Sequence, residues 1–332
     1  MKWIVAAALL AGLGGFLAYT ARLSGGGRGM SPALDSGQAG SAGSAQCAGC
    51  HGEIYREWRQ DQHAGAWTDD AFKRFSEDYA RVECLSCHAP RPMLETGIAG
   101  APLLRAANRE SGVDCIACHV KDGKTHGTLG SGASCGGVLD PQLKTSQACF
   151  HCHSAHNLFK EFLASEQAAR GMTCQDCHME NVTRAVADGQ PPRRTRRHLF
   201  HGGGHDTQAL KKTLKLELAI DGQELVVTVA NIGAAHGVPG EINNRIVILE
   251  VLLGRETAGA YEELAAHREH FRAPPRLARE RVPSTQLMPG TPRVLRYVLP
   301  SRSGQARATL SYKLEASGFE PPVLLTEASL AY

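Results

Sequence analysis

Ten of the eleven cysteines form five C-x-x-C pairs, and each pair is followed at once by a histidine. Two thiols at this spacing can form thioether bonds with the vinyl groups of one haem, and the adjacent imidazole becomes an axial iron ligand. The pattern therefore predicts five covalently attached haems c and their iron. The motifs are Cys47/Cys50/His51, Cys84/Cys87/His88, Cys115/Cys118/His119, Cys149/Cys152/His153 and Cys174/Cys177/His178.

Zinc and disulfide chemistry explain this pattern less well. Zinc ribbons pair two C-x-x-C knuckles about 15–20 residues apart and need no histidine after each pair. Here the motifs begin farther apart, at residues 47, 84, 115, 149 and 174. Redox C-x-x-C motifs come singly, and disulfide frameworks are typical of short secreted chains, whereas this chain has 332 residues.

Ten further histidines could supply the second axial ligand of each iron. The predicted distal ligands are His63, His126, His156, one of His198, His201 and His205, and His236. A ligand at His236 would clamp the C-terminal region onto the haem region. The other three are expected at the surface, although His151 could instead face a neighbouring haem.

Composition agrees with a cofactor-filled core. Hydrophobic residues make up 42% of the chain but aromatic residues only 6%, so porphyrins would supply much of the large apolar surface. The net charge of +3 is too small to indicate nucleic-acid binding. The basic run at 193–197 could pair haem propionates, dock a partner or be solvated, and Cys135 is predicted to be a buried free thiol.

The N-terminus predicts export. Residues 1–23 carry one lysine before a long apolar run, which indicates a membrane anchor or a signal peptide. Residues 24–46 are mostly Gly, Ser and Ala and are predicted to be a flexible linker. Both alternatives place the rest of the chain in the periplasm, anchored to the inner membrane or released, where thioether attachment takes place.

Residues 47–205 are predicted to form a mainly helical and irregular pentahaem domain, with helices near 53–62 and 158–170. From about residue 206 alternating apolar residues replace the motifs, and the Asp-Gly turn at 221–222 predicts a β-hairpin. Six or seven short strands over 206–332 favour an antiparallel β-sandwich. Residues 259–271 are expected to be a helical or loop insertion.

The chain resembles the multihaem c-type cytochromes related to cytochrome c-554 and hydroxylamine oxidoreductase. The resemblance is carried by CAGCHGEIYREWRQDQHAGAW, CLSCHAP, GVDCIACHVKDGKTHG, CFHCHSAHN, CQDCHME and HLFHGGGHD. It implies distal roles for His63, His126 and His156. The stretch VTVANIGAAHGVPGEINNRIVILEV resembles the Ig-like domain that follows the haem domain in some members.

These observations predict an electron-transfer protein that works with redox partner proteins in a respiratory chain. The chain lacks the C-x-x-C-K motif of pentahaem nitrite reductases and the eight motifs of hydroxylamine oxidoreductases, which favours a carrier. The alternative is an oxidoreductase with one open iron that acts on a small nitrogen or sulfur compound. A third possibility is that the C-terminal region docks partners in a larger complex. The oligomeric state is not predicted.

Overall fold

The computed structural model describes residues 43–98, 100–129, 137–153, 158–202, 207–240, 245–257, 259–273, 283–315, 318 and 320–332. A region of short helices comes first, and a β-rich region with antiparallel sheets follows. The segments 1–23 and 24–42, Cys135, His156 and His205 lie outside the described residues. Residues 43–46, predicted to end the linker, instead begin the first helix.

The helices of the first region are short, and several begin at a side-chain cap. Asp114 accepts a hydrogen bond from the Ala117 amide (3.0 Å), and Ser165 accepts one from the Ala168 amide (3.2 Å). The helices are α1 Gly43–Ala48, α2 Gly52–Arg59, α3 Gln62–Gly65, α4 Asp70–Phe75, α5 Val82–His88, α6 Met93–Thr96, α7 Cys115–His119, α8 Gln147–His153, α9 Leu158–Leu163, α10 Glu166–Ala169 and α11 Cys174–His178.

Small sheets connect these helices. Strand β1 (Val120–Lys121) pairs with β2 (Lys124–Gly127), which also pairs with β3 (Val138–Leu139). A hairpin of β4 (Asn181–Arg184) and β5 (Arg193–Arg196) follows the last motif. Such short pairings hold loops against the helices but form no separate layer.

The β-rich region contains two antiparallel sheets. Helix α12 Thr207–Lys211 precedes the strands β6 Leu214–Asp221, β7 Glu224–Asn231, β8 Ile246–Thr257, β9 Ala260–Phe271, β10 Arg293–Val298, β11 Gln305–Lys313 and β12 Val323–Ala331. One sheet has the strand order β10-β7-β6 and the other has the order β12-β11-β8-β9. Strands β6 and β7 form the predicted hairpin around the Asp-Gly turn.

The prediction of a helical or loop insertion at 259–271 is wrong. These residues form β9, which pairs with β8 along its length from Thr257↔Ala260 to Val247↔Phe271. Strand β9 is at the edge of its sheet and exposes most of its side chains, so it lacks the alternation of a half-buried strand. A register shift at Leu253/Gly254 obscures the pattern further.

The two regions differ in how they fill their interiors. In the β-rich region Leu225, Val227 and Val229 of β7 are fully buried in one large cluster with Leu249 and Val251 of β8. The main buried cluster of the helical region among the described residues is only Met93, Leu94 and Ile98. The helical region therefore needs something besides protein side chains to fill it.

Polar contacts join the two regions. The Gly237 amide donates to Glu161 Oε2 of α9 (2.9 Å), and Arg74 of α4 donates to Glu315 Oε1 (2.6 Å). No helix among the described residues has the length and apolar character that crossing a bilayer requires.

Candidate haem sites

All ten motif cysteines and all five motif histidines line one continuous cavity of ≈ 2590 Å³. A pocket for one small ligand usually measures about 300–1,000 Å³, so this cavity has room for several large groups. The cavity runs through the helical region and reaches the first loops of the β-rich region, including Gly233 and His236. Its position explains why the helical region has so small a protein core.

The motif histidines are held in a common orientation. Nδ1 lies within hydrogen-bonding distance of a backbone carbonyl in four of them: His51 to Val186 (2.7 Å), His88 to Ala66 (2.6 Å), His119 to His126 (2.8 Å) and His178 to His201 (2.5 Å). A carbonyl can only accept, so Nδ1 carries the proton in each of these rings. The Nε2 lone pair is then available to a metal, as is usual for metal-binding histidine.

Three motif histidines face a second histidine at the separation that a shared metal requires. The ring centroids are 6.3 Å apart for His153 and His63, 6.1 Å for His119 and His198, and 6.2 Å for His178 and His236. A metal bound between two imidazoles, with metal–nitrogen distances of about 2.0–2.1 Å, holds the ring centroids about 6 Å apart. The three pairs therefore have the spacing of axial ligands on opposite sides of one iron.

The three facing histidines and His126 each have a polar partner near Nδ1, but of different kinds. Backbone carbonyls lie near His198 Nδ1 (Arg196, 3.2 Å) and His236 Nδ1 (Gly237, 3.0 Å). A carboxylate lies near His63 and His126, with Asp61 Oδ1 at 2.8 Å from His63 Nδ1 and Asp140 Oδ2 at 3.3 Å from His126 Nδ1. The Asp61 contact is close but too bent for an aligned hydrogen bond. The hydrogen bond to Asp140 is of the kind that orients a metal-binding imidazole and raises its basicity.

Burial favours the neutral forms of His119 and His198. Together with the neighbouring His119, it lowers the pKa of His198 to about 4. Burial also lowers the pKa of His119, and the nearby imidazoles of His51 and His126 contribute to this lowering. A neutral imidazole is the form that binds a metal, so the pair suits an iron between its rings.

The remaining predicted histidines have other surroundings. The His201 carbonyl lies within hydrogen-bonding distance of His178 Nδ1, and His201 Nε2 lies 3.7 Å from Glu180. His151 is buried against the segment that contains Gly100, which contradicts the expectation that it faces solvent. His267 stacks on Tyr297 and is partly buried, whereas His270 is exposed, and both belong to β9.

The structure places the motifs side by side in pairs. Ser44 Oγ accepts the Cys115 amide, and Ser146 Oγ accepts the Cys174 amide, each at 3.1 Å. Both serines precede the first cysteine of a motif by three residues, so motif 1 contacts motif 3 and motif 4 contacts motif 5 in the same way.

The thiols of these pairs lie close together. The Cys47 thiol is the main cause of the lowered pKa of Cys115, and the Cys149 thiol is the main cause that lowers the pKa of Cys174 to about 6. Cys118 also lies near enough to Cys149 to contribute to its raised pKa. The attachment points of motifs 1, 3, 4 and 5 therefore form a continuous series.

Two carboxylates fix the segment 198–201. Glu57 Oε2 accepts the His198 amide (2.8 Å), and Asp61 Oδ2 accepts the Phe200 amide (2.9 Å). Burial alone would raise the pKa of both carboxyls, but Arg184 and the His198 amide lower that of Glu57. The contacts with His63 and Phe200 likewise lower that of Asp61. Both are therefore ionised at neutral pH.

The basic run at 193–197 divides between two roles. Arg196 pairs with Asp176 of α11 (2.5 Å), and Arg197 contacts Glu57 of α2 (3.4 Å) as well as Glu180 (3.1 Å), so these two hold the hairpin to the helices. Arg193 and Arg194 are exposed and line the cavity, so propionate pairing stays a prediction for them.

Sequence analysis missed the residues that position the histidines. No sequence motif marks Asp61, Glu57 or Asp140. The one local signal was that Asp61 precedes His63 by two residues. The serine three residues before the cysteine was visible in SAQCAGCH and SQACFHCH, but only the structure shows which amide each serine accepts.

Two comparisons with known proteins find multihaem or c-type cytochromes. The sequence profile of the family described as "Cytochrome c554 and c-prime" matches residues 46–120. The fold is similar to that of a penta-heme cytochrome c552 from Thermochromatium tepidum, at 21% sequence identity and a TM-score of 0.67, over 87% of this chain and 98% of that one. A superoxide reductase from Nanoarchaeum equitans covers 36% of this chain and 91% of its own, at 15% identity and a TM-score of 0.21. No curated protein sequence matches.

The profile and the shared fold confirm the predicted resemblance to multihaem c-type cytochromes. They also support haem c as a covalently bound, iron-containing cofactor and electron transfer as the activity. The residues present fit that cofactor, because paired thiols and Nδ1-protonated imidazoles line the cavity together.

Proposed function

We propose that the chain binds five haems c and transfers electrons between redox partner proteins in a respiratory chain. The observation that carries the proposal is that all five C-x-x-C-H motifs line one cavity, with the attachment points of four of them in a continuous series. Closely spaced attachment points suit a relay, because the groups bound there are brought near one another.

We assign the proximal ligands to the five motif histidines and distal ligands to His63, His198 and His236, opposite His153, His119 and His178. His126 is the candidate for the first motif, since His51 and His126 both lie near His119. His156 and His205 stay predictions, as they lie outside the described residues.

The chain's own residues would keep these sites rigid. A bound haem supplies one-electron chemistry, in which the iron alternates between the ferric and ferrous states. Seven of the nine assigned imidazoles have a carbonyl or a carboxylate within hydrogen-bonding distance of Nδ1, which sets their ring direction, so both oxidation states would meet the same ligands. The site needs no general acid or base, and none is assigned.

The location and the partners follow from the same chemistry. We place the haem region in the periplasm, with residues 1–23 as a membrane anchor or signal peptide and the following residues as a tether. The two C-terminal sheets are proposed to be an Ig-like sandwich that supplies His236 to the fifth site. The C-terminal region would then complete a haem site, and it could also dock a partner.

The test is a haem count by pyridine haemochrome combined with low-temperature EPR of the oxidised protein. Five haems, all low-spin, are expected for a relay. A high-spin ferric signal worth one haem would favour the enzymatic alternative, and nitrite, hydroxylamine and sulfur oxyanions would then be tested as substrates. Fewer than five haems would refute the proposed cofactor content.

A further inference from the structure

Asp61 is a buried carboxylate placed between two parts of the haem region. Its side chain is 4% exposed. Oδ1 accepts the His63 amide (2.9 Å) and lies 2.8 Å from His63 Nδ1, while Oδ2 accepts the Phe200 amide (2.9 Å). The Phe200 ring in turn packs edge-on against His63, with centroids 4.6 Å apart. One carboxylate thus holds the backbone of both His63 and Phe200 and lies beside the imidazole.

The charge of Asp61 is not balanced by a neighbouring cation. Asp114 is paired with Arg105 (3.0 Å), and Glu57 is paired with Arg184 through two contacts of 2.6 and 2.8 Å. Among the described residues no lysine or arginine lies within ion-pair distance of Asp61. The negative charge therefore acts mainly on His63 and on any metal that His63 binds.

The three histidine pairs differ in the charge of the group that lies near Nδ1 of the facing histidine. His198 and His236 have neutral backbone carbonyls near Nδ1, whereas His63 has an ionised carboxylate. A buried negative charge beside the imidazole stabilises the more positive oxidation state of a nearby iron. It therefore favours ferric over ferrous iron and lowers the reduction potential.

We propose that Asp61 is a positioning residue that sets the reduction potential of the haem bound between His63 and His153. The carboxylate keeps that potential below those of the haems bound at His119/His198 and His178/His236. The reaction concerned is the uptake of one electron by ferric iron to give ferrous iron. This inference rests on the proposed ligand assignment.

The first test is Asp61→Asn, which removes the charge with little change in shape. We expect five haems in the variant and one potential raised by about 59 mV or more, which corresponds to a tenfold change for one electron. The measurement is an EPR-monitored redox titration of the holoprotein. Asp70→Asn is the matched control, because Asp70 is 83% exposed and contacts Lys73 rather than a histidine. The control should leave all five potentials unchanged.

A second test does not depend on the folding of Asp61→Asn. His63→Ala removes one low-spin EPR signal and so identifies the haem in question. In the wild-type titration that signal should have a lower potential than the signals lost in His198→Ala and His236→Ala. If that signal does not have the lowest of the three potentials, or if a five-haem Asp61→Asn protein has unchanged potentials, the inference is overturned while the ligand assignment stands. If His63→Ala removes no low-spin signal, the ligand assignment itself fails, and the inference fails with it.

Discussion

The imidazoles of His178 and His236 lie 6.2 Å apart, centroid to centroid, with their planes 12° from parallel. His178 belongs to the last C-x-x-C-H motif, and His236 belongs to the loop after β7 in the β-rich region. The contact between Gly237 and Glu161 holds that loop against α9. In the proposed ligand assignment the fifth haem site would therefore be built from both regions, and the β-rich region would be needed to complete it.

Replacement of His236 should open this site. In His236→Ala we expect one haem to change from low-spin to high-spin, because the iron loses its sixth ligand while the thioether bonds and His178 keep the haem in place. EPR of the oxidised variant measures the change, and added imidazole should restore the low-spin signal. His270→Ala is the control, since His270 is exposed on β9. An unchanged spectrum in His236→Ala would show that His236 is not a ligand.

Gly202 should be intolerant of a side chain. Its φ of +112° disfavours any other residue, and a Cβ there would lie 3.2 Å from Cε1 of His178. We expect Gly202→Ala to displace the His178 ring and to change the EPR g-values of one haem. Gly189→Ala is the matched control, because Gly189 has a φ of +74° but a Cβ added there would meet no atom within 4 Å. Equal spectra for both variants would contradict a steric role for Gly202.

Local spacing was enough to name the motif residues of the candidate haem sites. The C-x-x-C-H spacing is local covalent chemistry, so the ten cysteines and five motif histidines, which the structure brings to one cavity, could be named without a fold. The hairpin β6–β7 was likewise predicted, because an Asp-Gly turn and alternating strands are local signals.

Long-range pairing could not be predicted in the same way. His198, His201 and His205 were equivalent candidates in one short segment, and the contacts of Glu57 and Asp61 with its amides bring His198 to His119. These contacts join residues about 140 positions apart. Strand β9 was missed for a related reason. Its own sequence has only a weak strand pattern, and its pairing with β8 makes it a strand.

Glu57 should contribute to stability through the segment that it holds. Glu57→Gln removes the paired contacts with Arg184 and weakens the acceptor for the His198 amide. Since the two side chains are 18% and 11% exposed, we expect a loss of about 1.5–3 kcal/mol in the free energy of unfolding. Urea unfolding at pH 7 measures it. Glu53→Gln is the control, because Glu53 is 60% exposed and lies 3.9 Å from Arg184.

The same contact has a predictable pH dependence. The pKa of Glu57 is lowered below 4.5 in the folded chain, so its stabilising effect is complete above the unfolded pKa and is lost as the pH falls through the folded value. The stability difference between wild type and Glu57→Gln should therefore shrink at acidic pH. A difference that is the same at pH 7 and at low pH would contradict the role of the ionised carboxylate.

The serines that join the motifs in pairs should differ in their contribution to stability, although each accepts a cysteine amide. Ser44 also contacts the Asp114 carboxylate. Ser44 is 4% exposed and Ser146 is partly exposed, and each accepts an amide at 3.1 Å. In Ser44→Ala the Cys115 amide loses its acceptor in a buried place, so we expect a cost of about 1–3 kcal/mol. In Ser146→Ala water can replace the hydroxyl, and the cost should be smaller. Thermal unfolding of both variants, at equal haem content, measures the difference, and a larger effect for Ser146→Ala would contradict the role of burial.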